Sequence, residues 1–158
     1  MKNAMAAKTR IRLLIAILLV VVSIPMMLVV SGLFASYHAS VVRHQGATVD
    51  YGVKGGYFVT LNKTEDLPTF LANCGASLNY LSKHYPLTIS LDERDLTNAD
   101  LGELDQIKGT FYLSLRNAKI NQNQFEQLIA IRNLRGVETS DTAIPEGMLA
   151  KFKQSRLQ

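Results

Sequence analysis

LTISLDERDLTNADLGELDQIKGT (residues 87–110), FYLSLRNAKINQNQFEQLIAIRNL (111–134) and RGVETSDTAIPEGMLAKFKQS (135–155) are successive rows of one pattern. A step of 24 residues carries Ile89 to Leu113 to Val137, and Leu91 to Leu115 to Thr139. The same step carries Leu96 to Ile120 to Ile144, Leu101 to Phe125 to Leu149, Leu104 to Leu128 to Phe152, and Ile107 to Ile131. Within each row the period changes. Ile89-Ser90-Leu91 alternates as a strand does, whereas Leu101, Leu104 and Ile107 recur every third residue, as one face of a short helix does. Between the two parts lies a helix-start signal. Thr97 precedes Asp100 by three, and Asn121 precedes Gln124 by three, the spacing of a capping box. Pro145 opens the corresponding segment of the third row, where a missing N–H costs nothing. One strand–turn–helix unit cannot bury its apolar side alone, so three should stack with their strands in a parallel sheet.

This pattern resembles the leucine-rich repeat in its short bacterial form of about 24 residues, in which the strand is followed by T-x-I-T-D-x-G-L-x-x-L. The stretches Arg94–Leu101, Ala118–Phe125 and Thr142–Leu149 occupy that position; Thr142 supplies the threonine, and Arg94 and Ala118 do not. The asparagine ladder of longer arrays is missing as well, which marks these repeats as degenerate. The resemblance covers residues 87–155 and implies an α/β fold: a short leucine-rich-repeat-like solenoid of parallel strands and short helices. It also implies a concave sheet face available to a protein partner.

Upstream, Leu13 to Ala35 runs 23 residues without a charge. As a helix it would cover about 34 Å, enough for a hydrocarbon core of about 30 Å. Ser23, Pro25, Ser31 and Gly32 interrupt it mildly, and membrane helices tolerate a proline. The competing reading is a cleaved signal peptide, with the small residues between Gly32 and Ser40 as cleavage site. Signal cores run roughly 7–15 residues, so length favours an anchor. Lys2, Lys8, Arg10 and Arg12 precede the span, and only Arg43 and Lys54 follow it closely. By the positive-inside bias this predicts a single-pass protein of the cell membrane with its N-terminus cytoplasmic and its C-terminal domain non-cytoplasmic.

The remaining boundaries follow from composition. Residues 1–12 form a basic tail and 13–35 the transmembrane helix. Residues 36–57 read as a glycine-containing spacer, with a strand possible only at Thr48–Tyr51. Residues 58–86 read as an N-terminal cap for the repeats of 87–158. In the cap, Tyr57 to Leu61 reads as a strand. Leu67, Phe70, Leu71, Cys74, Leu78 and Leu81 are spaced as a helix, which Pro86 ends.

Charge and chemistry exclude several functions. The chain carries 17 basic and 13 acidic residues, a net charge of +4. Four of the basic residues lie before the span, so the rest is formally neutral and has no field to gather phosphates. Nucleic-acid binding is therefore not expected. One cysteine, Cys74, rules out an internal disulfide. Cys74 and His84 are the one pair that could suggest nucleophilic catalysis, yet Cys74 falls on an apolar helix face and no third group orients the histidine. His38 and His44, six apart, lack metal-ligand spacing and read as surface residues. The acids around Asp92 and Asp95 form no calcium loop; each is one period from a base, Arg116 and Lys119, and neighbouring coils should pair them. Asn62-Lys63-Thr64 fits a glycosylation acceptor and is read as chance.

No enzyme activity, cofactor, metal or small-molecule substrate is expected. The expected role is presentation of a small concave surface to a protein partner beside the bilayer. The candidate contact residues are Tyr112, Arg116, Glu138, Asp92 and Ser114, with tyrosine and arginine the types that most often anchor interfaces. The alternative is a structural subunit of a membrane complex whose main contacts are made by the transmembrane helix.

Overall fold

The structure, a computed structural model, describes residues 2–53, 55–62, 66–144 and 146–156, with side chains for all of these except 2–13 and Glu146. Lys63 and Thr64 of the glycosylation-like triplet, Lys54 and Pro145 lie outside the described residues. The chain divides into two compact units, one through Tyr37 and one from His38 onward.

The first unit is helix. A single α-helix, α1, runs Lys2–His44 with Pro25 inside it. From Leu14 to His44 it is long and apolar enough to cross a membrane. Its large apolar side chains from Leu14 to Val30 are exposed, which is costly in water and neutral in lipid. Ser23 and Ser31 bond back to carbonyls three residues earlier, so their hydroxyls are satisfied within the helix.

The helix does not stop at Ala35. Residues 36–44, which the sequence reads as spacer, continue α1 into the second unit, where Ala39 and Val42 are buried. Gly46, at φ 80°, then turns the chain into strand β1, Ala47–Tyr51. The hairpin to β2, Tyr57–Leu61, turns at Gly55, which also holds a left-handed backbone. Asp66 caps helix α2, Leu67–His84, by accepting from the Thr69 N–H at 3.2 Å. Tyr85 ends it in an extended conformation, as a residue before proline must. Strand β3, Leu87–Ser90, leads to a 3-10 helix at Leu101–Gln106, then β4, Phe111–Ser114, and α3, Gln122–Ala130. Strand β5, Leu134–Glu138, and α4, Glu146–Ser155, complete the order.

The five strands form one mixed sheet in sequence order: β1 is antiparallel to β2, and β2 through β5 are parallel. Register follows the 24-residue step. Ile89 pairs with Leu113 and Leu113 with Val137. A bulge at the entry to β5 sets Phe111 against Leu134 and Tyr112 against Gly136, leaving Arg135 as the extra residue. The step also governs the bonds beyond the strands. Leu91 and Glu93 donate to Ser114 and Arg116, and Leu115 and Asn117 donate to Glu138 and Ser140. Among the described residues three non-glycine ones have positive φ, Glu93, Asn117 and Asp141; they are also 24 apart, each turning the chain out of its strand.

One sheet face is the core. Val49, Val59, Ile89 and Leu113 lie there in a row, buried, beneath Leu78 and Leu81 of α2, Leu101 and Leu104 of the 3-10 helix, and Phe125 and Leu128 of α3. Each such aliphatic side chain contributes about 1.5–3 kcal/mol by leaving water. The first row's helix is 3-10 rather than α, which suits apolar residues spaced by three. Its cap is Asp100, not Thr97; Thr97 instead bonds to Asp95 at 2.7 Å. The second row has the full capping box of Asn121 and Gln124.

The sheet ends differ. Bonds from Asn62 to Gly46 and from Gly52 to Gly56 fix the antiparallel alternation, which turns the Val49 peptide groups away from β2. Arg43 of α1 meets the Val49 carbonyl there at 2.7 and 3.2 Å. At the other end β5 gives the Glu138 and Ser140 carbonyls to β4, so the Val137 peptide is directed outward.

Candidate functional site

Opposite the core the sheet carries no helix layer among the described elements, and its side chains form ordered rows. Phe58, Thr88, Tyr112 and Gly136 are in register across β2 to β5; one step along the strands lie Thr60, Ser90, Ser114 and Glu138. Beyond them, where the chain leaves β3 and β4, stand Asp92 and Arg116. A groove of about 490 Å³ runs over this face, between Phe58 at one end and Asp92, Glu93 and Arg116 at the other.

Four of the five sequence candidates reach solvent here. Tyr112 is 49% exposed. Arg116 and Glu138 are exposed, and Asp92 is half-buried. Ser114 departs from expectation. At 4% exposure it offers no surface to a partner, and its hydroxyl donates to Asp92 at 2.7 Å. It is covered because the chain beyond β3 and β4 brings Asp92 and Arg116 across it, so it positions the acid.

Asp92 is the hub of the polar end. One carboxylate oxygen accepts from Ser114 and from the Arg116 backbone N–H at 2.8 Å; the other accepts from the Arg116 guanidinium at 3.1 Å. Burial works to raise the Asp92 carboxyl, but these bonds and one to Ser90 outweigh it and hold the group below its ordinary range. Arg116 also lies 3.8 Å from Glu138, so a single guanidinium links the acids of the first and third rows. The second expected pair, Lys119 with Asp95, forms at 3.8 Å beside an isolated bridge between the same residues.

Sequence reasoning read β2 as a strand, Tyr57 to Leu61, but did not place it in this face. Phe58, 49% exposed, and Thr60 belong to this face, although their segment reads as a cap. The signal was the alternation Tyr57-Phe58-Val59-Thr60-Leu61, which is in phase with Leu87-Thr88-Ile89-Ser90.

The remaining candidates lie on α1 and α2. Cys74 is buried, donates to the Phe70 carbonyl at 3.0 Å, and has its pKa pushed up to about 12 by burial. His84 is exposed; it stacks on Tyr80 at 4.4 Å and meets that residue's carbonyl at 2.9 Å. His38 is not a free surface histidine: it is half-buried, stacks on the other side of Tyr80 at 4.2 Å, and bonds to Ser77 at 3.0 Å. Among the described residues no group of three His, Cys, Asp or Glu side chains is placed to hold a metal ion.

Compared with known proteins, the chain matches no family model, no curated protein and no solved structure.

Proposed function

We propose that this is a membrane-anchored protein whose second unit is a short leucine-rich-repeat-like solenoid that presents its open sheet face to a protein partner. The observation that carries this reading is the exposure of Phe58 and Tyr112, each about half accessible, on a sheet whose opposite face is filled by buried aliphatic residues. Monomeric sheets that simply face water carry polar side chains there. Aromatic residues flanked by a charged rim are instead the composition of interaction surfaces. The repeat reading rests on the 24-residue recurrence of strand pairs, hydrogen bonds and left-handed residues.

The excess of basic residues before the apolar span supports a reading in which the N-terminus is cytoplasmic and residues 36–158 lie on the far side of the cell membrane. Anchoring raises the effective concentration of a weak binder near a membrane-bound target. No catalytic step is assigned.

The test is chemical crosslinking of the full-length protein in native membranes, with mass spectrometry of the products. A Tyr112→Ala/Arg116→Ala variant run beside it should lose a specific crosslinked partner. An unchanged partner set with crosslinks confined to residues 1–40 would refute this reading and favour a structural subunit held by its helix.

A further inference from the structure

The chain enters the second unit at one definite end of its sheet. Residues 38–44 of α1 run back along β1, with Arg43 on the Val49 carbonyl and Gly46 at the turn between them. Five helical residues back from Arg43 and two extended residues on from Val49 each cover about 7 Å, so His38 stands level with Tyr51. His38 also stacks on Tyr80, which stacks on His84 in the last turn of α2. Just beyond, Tyr57 donates to the Pro86 carbonyl at 2.8 Å, where β2 and β3 begin. This is the end at which the four parallel strands start. Two residues, Ser36 and Tyr37, separate His38 from Ala35, where the apolar run closes. Three residue steps span at most about 11 Å. In a chain anchored by α1, this end therefore stays close to the bilayer at any angle between the two units.

The residues at this end suit a lipid surface. The β1–β2 turn carries Tyr51, 60% exposed, and Val53, fully exposed. Bonds from Gly52 to Gly56 at 2.8 Å and from Gly55 to Gly52 at 2.9 Å hold the turn in shape. Tyr51 meets Tyr57 edge-on at 5.0 Å, and Tyr57 meets Tyr85 at 5.3 Å. Tyrosine, with an apolar ring and a polar tip, is enriched where membrane meets water. Bases gather here as well. Lys83 lies in the last turn of α2, and Lys108 and Arg132 follow the 3-10 helix and α3. Arg135 stands at the start of β5, and Lys153 lies in the last turn of α4, which ends beside α3. All five are exposed. The acids nearest them are fewer: Asp105, 3.8 Å from Lys108, Glu103 one turn behind it, and Asp50 on β1. Lys54, outside the described residues, is not counted. From residue 36 onward the chain is formally neutral, so its charge is separated along the strands, positive toward the entry of the chain. The four strand starts extend over three spacings, about 14 Å, which a flat surface meets at once and a single small anion does not.

Resting on the reading of α1 as a membrane anchor, we propose that the end of the second unit at which its parallel strands start docks on the bilayer surface. Tyr51 and Val53 enter the interface, and Lys83, Lys108, Arg132, Arg135 and Lys153 meet anionic lipid headgroups.

The experiment follows one fluorescent thiol label on the full-length protein in nanodiscs. The label is placed at Val53→Cys, at Lys119→Cys beyond the other end of the strands, or at Val20→Cys in α1. The nanodiscs are phosphatidylcholine, alone or with phosphatidylglycerol, and carry a quencher on the headgroup or on the acyl chain. A single label per chain reports that Cys74 is still protected and the variant folded. With phosphatidylglycerol present, the headgroup quencher should act on position 53 at least about threefold more strongly than on position 119. Lys83→Glu/Arg132→Glu should bring position 53 down to the level of 119, because each base beside an anionic surface is worth about fivefold in docked population. Arg135→Glu/Lys153→Glu should do the same, and decides if the first variant unfolds. Phosphatidylcholine alone should also release the tip. Equal quenching at 53 and 119 would overturn the proposal. So would quenching at 53 that ignores the charge reversals or the lipid, since that reports tethering without docking. If position 20 is then still quenched from the acyl chains, the anchor reading stands and only the docking falls. If position 20 is not quenched, both fall.

Discussion

Gly109 is the residue whose replacement should be felt most for its size. It sits between the 3-10 helix and β4, against the end of α2. A β-carbon there would lie 2.5 Å from the Ser82 carbonyl carbon, 2.7 Å from the Lys83 nitrogen, and against Ser82 Oγ as well. The hydroxyl could rotate away, but the backbone cannot. To restore van der Waals contact the last turn of α2 and this loop must separate by about 1 Å, while Asn79 holds them together through a 2.6 Å bond to the Lys108 N–H. Overpacking of this kind costs typically 1–3 kcal/mol, and the lower chain entropy of alanine in the unfolded state returns about 0.4–1 kcal/mol. The expected net loss for Gly109→Ala is about 1.3 kcal/mol, or a fall of about 5 °C in Tm for a unit of this size. Gly75→Ala is the counterpart. It lies within α2 with nothing inside 4 Å of its added carbon, so it should gain about 0.5–1 kcal/mol from helix propensity alone. Both are measured by urea and thermal unfolding of the full-length protein in detergent, with the reaction of Cys74 as readout. If the two substitutions shift stability in the same direction, close approach of the glycine to α2 is not what governs position 109.

Other outcomes are expected from the same structure. Asp92 titrates lower folded than unfolded, so its contribution is fully present above its ordinary value of 3.8 and is lost as pH falls through the lower folded value. Acid unfolding should therefore steepen below about pH 4 in the native protein and less so in Asp92→Ala; identical acid limbs would contradict the hydrogen-bonded hub. The Cys74 thiol, its pKa raised to about 12, should stay unmodified by a thiol reagent at pH 8 until unfolding, and rapid labelling under native conditions would refute its burial. Glu93 holds φ 57°, a left-handed backbone that asparagine adopts more readily than glutamate, so Glu93→Asn should raise stability by about 0.5–1 kcal/mol in the same unfolding assay.

What could be read from the sequence was whatever recurs in apolar spacing. Ile89 and Leu113 announce their alignment because burial demands an apolar residue at each, half-buried Val137 continues it, and Asp92 with Arg116 follows from the same step. Positions fixed by backbone geometry left no such mark. Glu93, Asn117 and Asp141 share a left-handed conformation, yet only asparagine and aspartate hint at it. Leu101, Leu104 and Ile107 fit a 3-10 or an α-helix equally, and the bulge at Arg135 leaves the apolar pattern intact. Residues 36–44 looked like spacer because Ser36, Tyr37 and His38 end the apolar run, although Ala39 and Val42 were enough to bury one side of a continuing helix. At the site, Tyr112 and Arg116 were legible by type, whereas the burial of Ser114 depends on neighbours one period away.

The unlike ends of the sheet bear on how such a chain could change in length. A duplicated unit of 24 residues delivers a strand parallel to its neighbours. It cannot continue past β1, which runs the other way and whose outward Val49 carbonyl is already taken by Arg43. On the β5 side the strand direction and, among the described residues, the hydrogen bonding do not oppose it, and an inserted copy would meet the same register that β3 and β4 already share. It would move Arg156 with it, whose guanidinium now closes the last turn of α3 by bonding the Leu128 and Ile129 carbonyls at 3.1 Å. Growth of the array is thus polar: gene duplication can widen this face one strand at a time beyond β5, and not beyond β1.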